Sequence, residues 1–194
     1  MTAADEKGGL PVLSFPSAAE WDGWLGSGDG SGAWLRIAKR DAGVPGVSYD
    51  EALEIALRHG WIDGQKAAGD DVSWLQRFTP RRRHSRWSRR NRDIAQRLVD
   101  EGRMTPGGLA EVEAARADGR WDRAYAGAAT IAVPDDLREA LEAAPRAARE
   151  FAALDGANRY AILYRVNDAK RSETRARRIA TFVAMLERGE RLHP

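Results

Sequence analysis

Arginine side chains are concentrated in one stretch of the sequence, residues 81–92, which we call the basic segment. It contains seven arginines together with His84 and Trp87, and no acidic residue occurs in it before Asp93 follows. A guanidinium group offers a planar fork of hydrogen-bond donors that matches a phosphate or a carboxylate. Ser88 is predicted to cap a helix, and a helix N-terminus adds a partial positive charge. The basic segment therefore predicts a binding site for an anion.

The strands that precede the basic segment are expected to contribute to the same site. Trp61, Asp63 and Gln65 are separated by single residues, so they should share one face of a strand. Trp87 is added because an aromatic ring within a basic loop can stack on a base or another planar ligand. The predicted ligand-binding residues are Trp61, Asp63, Gln65, Arg77, Arg81, Arg82, Arg86, Trp87 and Arg89.

Asp63 is the one carboxylate in this predicted set, and it has two interpretations. As a catalytic group it would act as a general acid or base, while the arginines stabilise developing negative charge. As a structural group it would form an ion pair with Arg77 or Arg36. The structural interpretation is favoured because the sequence shows no second catalytic group at a matching spacing.

Two strands, at 61–65 and 72–79, are predicted to pair as a hairpin. On the second strand Gln76 and Arg77 lie on opposite faces. One register sets Asp63 beside the face of Gln76, and a slip of one residue sets it beside the face of Arg77. The alternation of side chains does not decide between these two registers.

The other elements predict an α+β fold, with a small antiparallel sheet packed with helices and followed by a C-terminal helical bundle. Residues 33–38 alternate as in a strand, and two capping-box patterns, at 17–20 and 48–51, each begin a helix. The C-terminal helices are predicted at Asp135–Ala144, Pro145–Ala153, Asp155–Asn167 and Ser172–Arg188.

The domain organisation follows from these elements. We expect an α+β domain at 11–125 that carries the candidate site. Residues 126–133 are small and apolar and are predicted to form a linker. The helical region at 134–194 is expected to dock on the first domain or on a second copy of the chain, because its last helix has an apolar stripe to bury, formed by Ala176, Ile179, Val183 and Leu186.

Composition limits the classes of function. The chain of 194 residues is 43% hydrophobic and 31% charged, which is typical of a globular protein, and a net charge of +2 makes its basic character local. The absence of cysteine excludes disulfides, zinc thiolate sites and thiol nucleophiles. No metal-ligand spacing or glycine-rich phosphate loop is recognisable, so we expect no metal and no cofactor. The N-terminus lacks the features of a signal peptide and no apolar stretch is long enough to span a bilayer, so we expect no membrane insertion and a cytoplasmic location.

Several short motifs of the sequence occur together in a recognisable order. They are Trp34–Lys39, Ser48–Leu53, Gly60–Gln65, Gln76–Arg82, Trp87-Ser88, Glu101–Met104, Ala176–Ile179 and the tail ending at His193-Pro194. These motifs resemble those of the bacteriocin-protection family called YdeI/OmpD-associated. The resemblance covers roughly residues 11–194 and implies a stress-protection theme, without naming a reaction or catalytic residues.

Three functions are therefore carried forward. The leading prediction is a protection-type protein that binds an anionic small molecule or a phosphate-bearing ligand through the basic segment. The first alternative is an enzyme that uses Asp63 as a general acid or base. The second alternative is a nucleic-acid-binding module, which the small net charge and the lack of a recognised motif disfavour. A solvated basic loop with no ligand is the simplest competing explanation, and a homodimer is left open.

Overall fold

The computed structural model of the protein describes residues 5–28, 30–40, 42–128 and 130–193. The chain divides into two compact units, Met1–Ala124 (unit 1) and Tyr125–Pro194 (unit 2). The described residues form a five-stranded sheet with four helices in unit 1, and four further helices in unit 2. This arrangement confirms the predicted α+β class with a helical C-terminal region. The docking of 134–194 on the first domain stays a prediction.

The sheet of unit 1 is mixed. Its strands lie in the order β1-β2-β3-β5-β4, which makes β4 an edge strand. All pairs are antiparallel except β2 with β3, which run parallel where the sequence predicted a purely antiparallel sheet. The reason is helix α1, Ala18–Gly26, since a parallel pair needs a crossover connection of this kind. The strands are β1 Glu6–Lys7, β2 Leu10–Leu13, β3 Ala33–Ala38, β4 Trp61–Ala68 and β5 Ser73–Pro80.

Side-chain caps fix where the next helices of unit 1 begin. Ser48 and Glu51 form the predicted capping box, with Ser48 N donating to Glu51 Oε2 at 3.0 Å and Glu51 N donating to Ser48 Oγ at 3.3 Å. Ser88 caps the helix that follows the basic segment, and its Oγ accepts a hydrogen bond from Asn91 N. These helices are α2 Tyr49–Arg58, α3 Arg89–Asp100 and α4 Pro106–Ala117.

The helices cover one face of the sheet, which we call the inner face. The core on this side contains side chains that are at most 7% exposed, among them Trp21, Leu35, Leu53, Trp61, Phe78 and Leu98. The opposite, outer face carries a smaller cluster of Leu10, Trp34 and Leu75. A side chain of β4 or β5 can therefore contact the helices only if it lies at a strand position that faces inward.

A β-bulge interrupts the pairing of β4 with β5 and changes its register. Before the bulge Asp63 pairs with Phe78, and after it Lys66 pairs with Gln76. Two residues of β4 therefore lie opposite Arg77 alone, as in a bulge with one extra residue. Asp63 lies on the face of Gln76, and the pairing beyond the bulge is shifted by one residue. The two registers that alternation left open are thus both present, one on each side of the bulge.

The side chain of Gln76 holds this bulge in place. Gln76 is 4% exposed, and its Nε2 donates to the carbonyl oxygens of Gly64 at 2.9 Å and Gln65 at 3.2 Å. A bulge leaves backbone groups without ladder partners, and a buried carbonyl without a donor is costly. The buried amide therefore supplies the donors that the interrupted ladder lacks.

Unit 2 is built from four helices around an aliphatic and aromatic core. The predicted apolar stripe of its last helix is confirmed at Ile179 and Leu186, which are 7% and 1% exposed. Ala176, predicted on the same stripe, is exposed, and Phe182 is buried instead. The helices are α5 Asp135–Glu142, α6 Pro145–Ala152, α7 Gly156–Asn167 and α8 Ser172–Glu187. None of the described helices combines the length and apolarity needed to cross a bilayer.

Candidate functional site

Asp63 is the centre of a polar network on the inner face of β4. Tyr49 OH donates to Asp63 Oδ2 at 2.8 Å, and Asn91 Nδ2 donates to Asp63 Oδ1 at 2.9 Å. Tyr49 is the first residue of α2, and Asn91 lies in the first turn of α3. The half-buried carboxylate therefore fastens the starts of two helices to the edge strand of the sheet.

The ion pair predicted for Asp63 is not present. Arg36 pairs with two other carboxylates, Asp5 at 3.1 Å and Asp70 at 3.2 Å. Arg77 lies on the outer face of β5, whereas Asp63 pairs with Phe78 and lies on the inner face. The two side chains are therefore on opposite faces of the sheet. The prediction of a structural ion pair is therefore wrong, and uncharged donors satisfy Asp63 instead.

The phenol of Tyr49 is suited to remain a donor. Burial raises the pKa of Tyr49 far above its ordinary value, and the neighbouring Asp63 carboxylate raises that pKa further. Arg90 acts in the opposite direction, with its guanidinium carbon 5.1 Å from the centroid of the Tyr49 ring. Desolvation and the negative charge both disfavour the phenolate, so the hydrogen bond to Asp63 persists through the physiological pH range.

Three of the predicted ligand contacts lie in the interior and not at the surface. Trp87 is 1% exposed, and its ring packs against Trp121 with the centroids 4.9 Å apart. Arg81 is 7% exposed and stacks on the same ring, with its guanidinium carbon 3.4 Å from the centroid of Trp87. Trp61 is 7% exposed and belongs to the inner core. The expectation of a Trp87 ring open to a ligand is corrected, because the apolar side of the basic segment closes the core.

The loop at the start of the basic segment is tightly hydrogen-bonded. Ser85 Oγ accepts from Arg82 N at 2.9 Å, and Ser85 N donates to the Arg82 carbonyl at 2.7 Å. The guanidinium of Arg120 donates to the Ser85 carbonyl at 2.9 Å, and Arg81 Nη1 donates to the Arg86 carbonyl at 3.3 Å. Together with the buried Trp87, these contacts give the loop a defined conformation.

The same segment presents several arginines at the surface. Arg90 pairs with Asp50 at 2.6 Å, and Arg92 pairs with its neighbour Asp93 at 2.8 Å. Arg82, Arg83 and Arg89, which we call the exposed arginines, are different: within the described residues no carboxylate lies within salt-bridge distance of any of them. The solvated-loop explanation thus accounts for part of the basic segment and leaves three like charges uncompensated.

Three other predicted site residues lie in three different parts of the fold. Gln65 is exposed within the bulge, where its carbonyl is bound by Gln76. Arg77 is half-buried on the outer face, and Arg86 is exposed in the loop of the basic segment. The structure therefore leaves Arg82 and Arg89 exposed and engages Asp63 in a network on the inner face, but it does not bring all nine predicted residues to one surface.

Sequence reasoning missed the donors that hold Asp63. Tyr49 follows Ser48 of the predicted capping box, and its position in the sequence does not connect it with the carboxylate. Asn91 precedes Ala95 by four residues and Leu98 by seven, which are the spacings of the buried stripe of α3. A polar amide on a buried stripe needs a partner, since an unpaired buried polar group is costly. That spacing is the signal that could have found Asn91.

Among the described residues, no group of three or more His, Asp or Glu side chains is arranged to hold a metal ion. The closest approach to a catalytic pair is His59 Nε2, which lies 2.7 Å from Asp22 Oδ1. Asp22 also binds Arg58 at 2.7 Å, and His59 is the C-cap residue that ends α2. This cluster has the contacts of a structural cap.

Comparison with known protein families divides the chain in two. Residues 13–111 match a family model described as a domain of unknown function (DUF8412). Residues 130–189 match a model described as Bacteriocin-protection, YdeI or OmpD-Associated. The resemblance stated from the motifs is thus confirmed over 130–189, while the motifs between 34 and 104 fall in the region of the first model. No curated protein sequence and no solved structure matched the chain.

Proposed function

Because the chain belongs to the DUF8412 family and carries a YdeI or OmpD-associated bacteriocin-protection domain at residues 130–189, we propose that it is a protection-type protein. Its activity in this proposal is the binding of an anionic small molecule or a phosphate-bearing ligand. The ligand is held by the exposed arginines of the basic segment, Arg82, Arg83 and Arg89.

The observation that supports this proposal best is the set of contacts that order the loop behind the exposed arginines. Arg82 donates its backbone N–H to Ser85, whose carbonyl is held in turn by Arg120. On the other side of the loop Trp87 is buried and Arg81 is stacked on it. We call the buried Trp87 ring, with Arg81 stacked on it, the platform of the basic segment. A solvated basic loop would not need such a platform. A platform that is ordered before binding reduces the entropy lost when a ligand is bound.

Helix α3 adds to the positive potential at this surface. Arg89 is its first residue, and the helix extends over twelve residues to Asp100. Its first turn contains no acidic residue, so nothing within that turn cancels the partial positive charge of the helix N-terminus. Backbone N–H groups at such an end can join guanidinium groups in holding a phosphate.

Asp63 is a positioning residue in this proposal. Its two oxygen atoms accept hydrogen bonds from Tyr49 and Asn91, which fixes the first turn of α3 against β4. Arg89 is two residues before Asn91, so the network also fixes where Arg89 leaves the helix. The enzymatic alternative, with Asp63 as a general acid or base, stays a prediction, since the contacts that engage this carboxylate are those of an anchor.

A thermal-shift screen tests the proposal directly. The panel contains nucleotides, other phosphorylated metabolites and anionic antibiotics, each compared with an uncharged analogue. A ligand at about 100 times its dissociation constant should stabilise the protein by about 2.7 kcal/mol. Arg82→Ala, Arg83→Ala and Arg89→Ala should each weaken a ligand found in this way. Arg40→Ala is the matched control, because Arg40 is exposed outside the basic segment.

Two results would count against anion binding here. Unchanged melting temperatures across the whole panel would remove the proposal. Equal affinity in the Arg40→Ala and Arg82→Ala proteins would move the ligand away from the basic segment. A nucleic-acid interface would show itself separately, because binding to a random oligonucleotide would then weaken with salt by a log–log slope of about −0.9 for each phosphate contacted.

A further inference from the structure

An aromatic pair lies next to the Asp63 network. The rings of Tyr49 and Trp74 pack against each other with their centroids 5.7 Å apart, and both side chains are half-buried. A cation lies over each ring, with Lys66 Nζ 4.1 Å from the Trp74 centroid and the Arg90 guanidinium carbon 5.1 Å from the Tyr49 centroid. Lys66 and Arg90 are both exposed, so the ring faces beneath them lie at the surface. We call these four residues the aromatic patch.

The bulge in β4 is what brings Lys66 to this patch. Asp63 faces inward, and strict alternation would set a residue three positions later on the outer face. The extra residue of the bulge reverses this, so that Lys66 pairs with Gln76 and shares the inner face with Trp74. Bulges are known to redirect side chains beside functional sites. The buried amide of Gln76 holds the bulge, which makes the position of Lys66 a built feature of the fold.

The two cations of the aromatic patch differ in their other contacts. Arg90 is held by Asp50 at 2.6 Å, which keeps its guanidinium over Tyr49. For Lys66 the contact with the Trp74 ring is the one that the described residues show. A planar ring that replaces the ammonium on Trp74 would keep the aromatic contact. The displaced ammonium, on its flexible stem, would then be available to pair with an anionic group of the same ligand.

We propose that the anionic ligand of this protein is a phosphorylated nucleoside whose base stacks on Trp74. This inference rests on the proposed function and names its ligand class. The base occupies the face of Trp74 now covered by Lys66. The phosphate is taken by Lys66 together with the exposed arginines, of which Arg89 adjoins Arg90 of the aromatic patch in the first turn of α3. A phosphate without a ring would leave the Trp74 contact unused, which is the reason for choosing a nucleoside over an aliphatic phosphate.

Isothermal titration calorimetry with three probes tests the role of the ring. Adenosine 5′-monophosphate carries both groups, ribose 5-phosphate lacks the base, and adenosine lacks the phosphate. Loss of one base–aromatic contact should weaken binding by about tenfold or more. We therefore expect both partial probes to bind at least ten times more weakly than the nucleotide.

Variants of the patch locate the contact. Trp74→Leu should lower the affinity for the nucleotide about tenfold, whereas Trp74→Phe, which keeps a ring, should recover most of it. Lys66→Glu should weaken binding of the nucleotide, and Lys7→Glu should not, because Lys7 is an exposed lysine that lies over the Trp34 ring of the outer face. The melting temperature of each variant without ligand shows whether it is folded. If Trp74→Leu does not fold, Lys66→Glu serves as the test instead.

The outcomes separate this inference from the proposed function. If ribose 5-phosphate binds as tightly as the nucleotide and Arg82→Ala weakens both, the protein binds phosphate and the base-stacking inference is overturned. If neither ribose 5-phosphate nor the nucleotide binds while another anion of the panel does, the inference of a nucleoside ligand is overturned and the proposed function stands. If a long oligonucleotide binds far better than the mononucleotide, with a steep salt dependence, the ligand is a nucleic acid and both proposals are overturned.

Discussion

Arg81 and Arg82 are adjacent residues of one type, and they have opposite surroundings. Arg81 is 7% exposed and lies on the buried ring of Trp87, whereas Arg82 is exposed on the loop that follows. The inner half of the basic segment therefore acts as a platform, and its outer half presents charge. The contact of the Arg81 guanidinium with the aromatic ring is a cation–π interaction that contributes to this packing. The comparison teaches that arginine number alone overstates the size of a binding surface.

The largest effect should come from removing the platform. Trp87→Ala deletes a side chain that is 1% exposed and leaves Arg81 without the ring it stacks on. Replacement of a buried tryptophan by alanine typically costs about 3–5 kcal/mol. We expect a loss of that size in the free energy of unfolding, measured by urea denaturation. A loss below about 1 kcal/mol would mean that the two halves of the segment do not differ in structural role.

A smaller loss of stability is expected when one of the hydrogen bonds that join helices α2 and α3 to Asp63 of β4 is removed. Tyr49→Phe removes the donor to Asp63 Oδ2, and Asn91→Leu removes the donor to Asp63 Oδ1. Each change leaves a partly buried carboxylate oxygen without its partner, which costs about 1–3 kcal/mol. Asn167→Leu, at an exposed position, is the control. If the double variant loses the plain sum of the two single effects, Asp63 does not couple the two helices.

The other end of the α2–α3 pair should respond to acid. Glu54 on α2 binds Arg97 of α3 at 2.6 Å and Arg103 at 2.8 Å, and the hydrogen bond from Arg97 is the main cause that lowers the pKa of Glu54. A lowered pKa means that this stabilisation is present above the ordinary value of 4.5 and is lost as pH falls through the folded-state pKa. For exposed pairs the contribution is about 1 kcal/mol or less.

Glu54→Gln checks this assignment. The variant should be less stable than the parent at neutral pH, and the difference should shrink as pH falls below 4.5, where the carboxyl is protonated first in the unfolded parent and, at lower pH, in the folded parent. Unfolding in urea at several pH values measures it. A difference that is constant between pH 7 and pH 3 would show that Glu54 acts through packing and not through its charge.

The smallest effect on stability should come from the exposed arginines. Arg82→Ala and Arg83→Ala remove exposed side chains that pair with no carboxylate among the described residues, so the free energy of unfolding should change by no more than about 0.5 kcal/mol. Their effect belongs to ligand affinity. A destabilisation equal to that of Trp87→Ala would remove the distinction between platform and surface.

The local features of unit 1 were predictable from the sequence. The capping box of Ser48 and Glu51 formed as expected, and Ser88 caps α3. Alternation along β5 is confirmed at Gln76 and Phe78, which are two residues apart and are both buried. These features depend on residues two to four positions apart, so the sequence contains the whole interaction.

The candidate site was predictable only in part, because its contacts join distant residues. Asp63 was identified, but its partners Tyr49 and Asn91 come from two different helices. Trp87 was assigned to the surface from its charged neighbours, although one side of that loop closes the core. Local composition cannot tell which side chains of a charged loop face inward.

The sequence by itself determined the elements, the arginine concentration and the family matches. The tertiary structure decided which arginines are accessible, which donors hold Asp63 and which face Lys66 occupies. The last of these shows the physical reason most clearly. The alternation of side chains along β4 does not reveal its extra residue. That residue is accommodated as a bulge in which Gln76 of the paired strand donates hydrogen bonds to the carbonyls of Gly64 and Gln65. Register is a property of two paired strands, so neither strand encodes it alone.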